Sequence, residues 1–190
     1  MELLSFSNQY IHCKIIPAKG DIPSYFITVI YASNSSNERN SLWGDLEILA
    51  GSANLSKWMV GEDFNEVRYA HEKLGGCPPH IRSLSRFNNC IEACHLQDLW
   101  GSDSSFSWCN NKDARIASKL DHVLVNLQWM LEHTDSFYYA LPPGLSDHSA
   151  LQVTVCPAFI SGPKPFKCFS AWEAHPQFEQ VIRHAWDRSF

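Results

Sequence analysis

"WMVGEDFNEV", residues 58–67, decides how the rest of the chain is read. An apolar run, Trp58-Met59-Val60, reaches Gly61 and then releases Glu62, Asp63, Asn65 and Glu66 within five positions. A short apolar run closed by glycine reads as a buried strand. The polar residues at its end form either a solvated turn or the rim of a site for a metal ion or a phosphate. Taken alone, Asp63-Phe64-Asn65 is an Asx-type turn.

The flanks show strands mixed with amphipathic helices. Residues 10–17, "YIHCKIIP", alternate, and residues 25–33, "YFITVIYAS", are aromatic and β-branched. The turn "AKGD" at 18–21 makes them a predicted hairpin. Asn37 or Asn40 caps a helix to about Ala50, with Leu42, Trp43, Leu46 and Leu49 on one face. After the central strand and a loop with Gly75-Gly76 and Pro78-Pro79, a second helix is predicted over 81–94, burying Leu84, Phe87, Ile91 and Cys94. Residues 105–110 and 118–126 read as paired strands. A short helix comes next at "LQWMLEH", then strands over 133–141 and 148–155. This pattern gives a layered α/β fold.

Composition bounds the function. Of 190 residues, 45% are apolar and 18% charged, so the chain can bury a sizeable core. The net charge of -5 excludes strong non-specific nucleic-acid binding by charge alone. An enzyme carrying divalent cations can still approach phosphates from an acidic site. Arg68, Lys73, Arg82 and Arg86 are the few cations near the polar strand ends. The seven cysteines form no C-x-x-C pair, and Cys90, Cys94 and His95 lack a second ligand pair at zinc spacing. Free thiols fit a reducing compartment. No signal peptide and no membrane-spanning run is expected.

Polar residues gather at the predicted strand ends. Tyr31 ends the second strand, Asp63 and Asn65 come after the third, Asp121 sits in "KLDHVL", and Asp147-His148 precede the last strand. In α/β sheets such ends converge on one rim. Carboxylates there can hold Mg²⁺, and a His oriented by an Asp can shuttle a proton. Each has a bland reading beside this: Ser146-Asp147-His148 can cap a turn, and a strand tyrosine is usually packing. Asp121 is harder to dismiss, because a charge inside an apolar strand is costly unless paired.

Five motifs in order, "VIYAS", "GEDFNEV", "SFSWCN", "SKLDHVLVN" and "GLSDHSAL", resemble the endonuclease/exonuclease/phosphatase superfamily, the deoxyribonuclease-I-like fold. Within it, "GEDFNEV…EKLGG" and "FNNCIEACHLQDLW" look like the endonuclease domain of plant non-LTR (LINE-type) retrotransposons. "KPFKCFSAWEAHPQFEQVIRHAW" is similar to the segment joining that domain to a reverse transcriptase. The resemblance implies a four-layered α/β sandwich and Mg²⁺-dependent cleavage of DNA in the nucleus, with Mn²⁺ as an alternative metal and no membrane partner.

Carried over by position, Tyr31 contacts the phosphate and Asn65 stands beside it. Asp63 orients or activates the attacking water. Asp121 hydrogen-bonds His148, which stabilises the transition-state charge. Asp147 assists at the metal rim, and Trp108 supports the site by packing. Glu62 replaces a glycine of the family. The family also places a strand with an Asn, then a Glu that is its main metal ligand, ahead of the hairpin. This chain opens at that hairpin, so an N-terminally truncated sandwich with weak or no activity is expected. The predicted organisation is a partial endonuclease domain over 1–156, a Pro-rich linker over 157–170 and the helical start of a connector over 171–190. A catalytically dead remnant acting as a binding domain, and a phosphatase of small phosphate esters or lipid headgroups, are the alternatives. Loss of the first strands is expected to bare a sheet edge and apolar surface.

Overall fold

A computed structural model describes residues 1–17, 24–53, 56–102, 106–110, 112, 114–155 and 176–186. The chain divides into two compact units, Met1–Pro157 and Ala158–Phe190. The first is built on a six-stranded sheet. Its strands are β1 (Glu2–Phe6), β2 (Tyr10–Ile15), β3 (Tyr25–Tyr31), β4 (Trp58–Asp63), β10 (Asp121–Asn126) and β6 (Leu96–Asp98), in that spatial order. Two helices, α1 (Ser36–Ala53) and α2 (Ile81–Ala93), cover one face.

The burial pattern explains why α1 and α2 lie there. Leu42, Trp43 and Leu46 recur at helical spacing and are buried with Phe87 and Ile91 of α2 against Ile30, Val60 and Leu124 of the sheet. Phe64, immediately after β4, joins the same cluster; its ring lies 5.0 Å from Phe87, and Phe87 lies 5.0 Å from Trp43. The opposite face carries Met59, Val123 and Val125, which pack on Tyr138, Leu151 and Val153. Those residues belong to a second, three-stranded sheet, β12 (Leu151–Thr154), β11 (Phe137–Ala140) and β7 (Gly101–Ser102). The described elements therefore stack as helices, sheet and sheet. A fourth layer is not seen among the described residues.

One cross-sheet row shows where this packing stops. Phe6, Ile11, Val29, Gly61 and Val123 are neighbours in register across five strands. Val123 is 3% exposed between the sheets, whereas Val29, Ile11 and Phe6 are 45%, 50% and 70% exposed. The second sheet covers β4 and β10, and Ile27 of β3 packs at its border, while the Phe6–Ile11–Val29 end of this row lies in solvent.

Several elements differ from the sequence reading. β1 is an addition to it, because "ELLSF" carries no turn signal ahead of it and is legible only through its pairing with β2. Residues 105–110 and 118–126 do not form one long pair. The contact is two residues on each side, β8 (Trp108–Cys109) with β9 (Ala117–Ser118), beside β5 (Lys73–Leu74), and the chain then enters β10 in the main sheet. The strand predicted from His133 begins at Phe137, because His133 caps α3 (Leu127–Glu132) and Ser136 N bonds back to its carbonyl. Cys90 and Cys94 lie in the core, where a hydrogen bond to Cys94 and burial raise the Cys90 thiol pKa and keep it neutral. In the second unit, α4 (Phe178–Trp186) matches the C-terminal part of the predicted helix. The 157–170 linker, the "AKGD" turn and residues 171–175 lie outside the described residues.

Candidate active site

Strand direction brings the polar ends together. β3 and β4 run parallel, so Tyr31 and Asp63 finish side by side at one rim, and they are register partners. β10 runs antiparallel to β4, so its first residue, Asp121, meets Asp63 at the same rim. A cavity of about 760 Å³ opens there, lined by Tyr31, Asn34, Glu62, Asp63, Asn65, Asp121 and the segment Ser146-Asp147-His148. All the site residues read from the sequence border it, and Trp108 forms part of its wall.

Asp63 is buried, and both its oxygens are engaged. Asn65 N donates to Oδ1 at 2.8 Å and Asn65 Nδ2 to Oδ2 at 3.0 Å. The same Nδ2 donates to Ala32 O at 2.7 Å, tying the exit of β3 to the exit of β4. Asn65 has φ 49°, a left-handed conformation that Asn tolerates. The Asx turn and the site are thus one structure: the turn is what presents the carboxylate. Glu66, the last acid of the opening stretch, turns inward and bonds Arg39 Nη2 at 2.6 Å. Arg39 also donates to Ser33 O and Asn34 O, clamping the loop after β3.

Asp121 is 4% exposed, and its Oδ2 lies 2.9 Å from His148 Nδ1. Ser107 places it: the Ser107 hydroxyl accepts from Asp121 N at 3.0 Å and Leu120 N at 2.9 Å. The sequence offered no signal for Ser107, since one serine in "SFSWCN" looks like any other. The adjacent His122 faces the helical side, between Phe64 and Phe87, where burial pushes its imidazole down to about 4 and leaves it neutral. Two Asp-His dipeptides therefore play different parts, one supplying Asp121 and the other His148.

Asp147 borders the same cavity and is also tied to β8. Its Oδ2 accepts from Trp108 Nε1 at 2.8 Å, and its carbonyl accepts from Cys109 N at 3.1 Å. Trp108 also bridges His148 in the backbone, and Ser149 N donates to Ser107 O at 2.7 Å. Asp147 and Trp108 thus fasten the His148 segment to β8, and what Trp108 supplies here is a hydrogen bond.

The electrostatics come from crowding. Burial and the nearby Asp121 raise the Asp63 pKa, against the hydrogen bond from Asn65. Burial, then Asp121 and Asp63, raise that of Glu62, which has φ 92°. Burial lowers that of His148, but the Asp121 hydrogen bond and charge outweigh it, and the net direction is up. One ligand atom from each of Asp63, Asp121 and His148 lies within 4.8 Å of the other two. Buried carboxylates that repel one another suit a divalent cation, whose charge would relieve them. The donor set fits a hard metal held by Asp63 and Asp121, with Glu62 at the cavity wall. The cations near the polar strand ends are partly engaged: Arg68 pairs with Asp98 and Asn88, and Arg86 with Asn40.

No family model and no curated protein sequence matches the chain. Solved structures do. The endonuclease domain of TRAS1, a telomere-specific non-LTR retrotransposon, superposes with a TM-score of 0.63 at 11% identity, covering 78% of this chain and 64% of that one. Beta toxin 275-280 from Staphylococcus aureus superposes at 0.53 and 10% identity, over 77% of this chain and 56% of that one. The catalytic domain of Xenopus laevis APE2 gives 0.40 at 14% identity, over 79% and 57%. The fold is that of the deoxyribonuclease-I-like nucleases. At such identities the likeness is one of fold, and the chain spans less than two thirds of each neighbour's length. No helix among the described residues is long and apolar enough to cross a membrane.

Proposed function

We propose that the chain is a metal-dependent phosphodiesterase acting weakly on DNA, with Mg²⁺ or Mn²⁺ as its metal. The observation that carries this reading is the Asp121–His148 pair set beside Asp63 on one strand-end rim. Asp63 and Asp121 would hold the metal, with Glu62 in reach of the same cavity. Bound metal would neutralise charge developing on the phosphoryl oxygens. Asp121 accepts from His148 Nδ1, which leaves Nε2 to meet a phosphoryl oxygen or a water. Asp63, with its second lone pairs free of Asn65, orients the attacking water. Tyr31, at the exposed end of β3, reaches the phosphate. With chromosomal DNA as substrate, the protein would work in the nucleus.

A second reading, a binding domain with no turnover, is favoured by the bare row Phe6–Ile11–Val29, since apolar rows on monomers mark interaction surfaces. A labelled DNA duplex beside p-nitrophenyl phosphate decides between these and a phosphatase of small esters. Metal-dependent cutting of the duplex that EDTA stops supports the proposal. Turnover of the monoester alone would replace it with the phosphatase, and turnover of neither by folded chain would leave the binding domain.

A further inference from the structure

A second cavity, of about 480 Å³, adjoins the first. Trp108, Asp147 and Ser149 line both, so the two share a wall. Beyond that wall the second cavity is bounded by Phe106, Arg115, Ala140, Leu141 and Pro142. We infer that this cavity receives the nucleobase one sugar away from the phosphate at the Asp63–Asp121–His148 rim, which makes a nucleotide unit, and not a bare phosphate ester, the substrate class. The inference rests on the phosphodiesterase reading.

Three observations carry it. The volume lies within the range of roughly 300–1,000 Å³ common for small-molecule sites. Its walls pair flat aromatic surface, from Phe106 and Trp108, with a guanidinium from Arg115, the combination that stacks bases without reading their sequence. The platform is also preorganised. The Trp108 indole is held by its hydrogen bond to Asp147 at 2.8 Å. Both walls are then sewn to the segment that carries His148: Cys109 N to Asp147 O, Ser149 N to Ser107 O, and Leu141 N to Ala150 O at 2.8 Å. A base on this platform would be registered to the imidazole by backbone hydrogen bonds, which removes part of the ordering cost of binding. An acyl chain fits less well, because Arg115, Asp147 and Ser149 interrupt the apolar surface.

Calorimetric titration of the full chain in Mg²⁺ with dAMP and with 2-deoxyribose 5-phosphate isolates the base. The expected result is dAMP binding roughly tenfold more tightly than the sugar phosphate, the order of one base stacked on an aromatic ring. Ala140→Phe, which fills the cavity, and Arg115→Ala, which removes its cation, should each shrink that ratio to below about threefold while leaving the sugar-phosphate affinity in place. Equal affinities in the wild type overturn the inference. So does a ratio that neither variant moves, or dihexanoyl phosphatidylcholine outcompeting dAMP. Failure of the hydrolase reading looks different: the dAMP preference persists and responds to both variants, but the same preparation cuts no DNA.

Discussion

Asp121 Oδ2 and His148 Nδ1 stand 2.9 Å apart although 27 positions separate them in the chain. One comes from the first residue of an internal strand, the other from a segment fastened to β8, and Ser107 touches both neighbourhoods. A carboxylate so placed fixes the imidazole's tautomer and favours its charged form. Asp121→Asn is therefore expected to lower DNA-cleavage turnover by about 10²–10⁴-fold in a variant that still melts cooperatively. Proton NMR of the same variant should show the His148 pKa falling from its raised value. Unchanged turnover would remove the pair from the chemistry.

The raised pKa of His148 has a consequence for stability. Its ordinary value is 6.5, so the stabilising contact is complete below that pH and is lost as pH rises through the higher folded value. Asp63 and Glu62 are also raised, from 3.8 and 4.5, so their ionisation weakens the fold as pH climbs past those values. In metal-free buffer, melting temperature is expected to fall as pH rises above 6.5, and His148→Gln should flatten that part of the curve. Parallel curves for wild type and variant would contradict the assignment.

Glu62 sits at φ 92°, in the left-handed region where a side chain is strained. Glycine relieves that strain and removes a carboxylate from a cluster that repels it. Glu62→Gly is expected to stabilise the metal-free chain by about 1 kcal/mol, visible as a rise in denaturant midpoint. A loss of stability would mean that the Glu62 side chain makes contacts that outweigh its backbone strain.

Arg39 and Glu66 form a buried pair at 2.6 Å beneath the rim, 7% and 10% exposed in their side chains. Removing one partner leaves the other charged and buried, so Arg39→Met should cost about 3–5 kcal/mol in urea unfolding. Adding Glu66→Gln to that variant should restore part of the loss. A cost below about 1 kcal/mol, the level of surface pairs, would show the clamp to be dispensable.

Much of the rim was legible in the sequence because its residues sit at the ends of apolar runs. Asp63, Asn65, Asp121 and His148 stand where strand chemistry stops and polar side chains begin, and parallel and antiparallel pairing then brings them together. The helices were legible for the same reason, since Leu42, Trp43 and Leu46 repeat with the helix. What was hidden depends on distant partners. Ser107 matters through Leu120 and Asp121, and Glu66 through Arg39, and no local pattern names such partners. Asp147 shared its motif with His148, yet one of its oxygens serves Trp108 across 39 positions. The short strands β6 and β7 carry too few residues for alternation to show.

The most direct measurement is nicking of supercoiled plasmid by the purified chain in Mg²⁺, beside EDTA and a His148→Ala variant, with the melt of each sample recorded. The account predicts relaxed circles in Mg²⁺, none in EDTA, and at least about a hundredfold slower nicking by a variant that still melts cooperatively. Intact plasmid after incubation with cooperatively folded wild type, or equal nicking by wild type and His148→Ala, would contradict it.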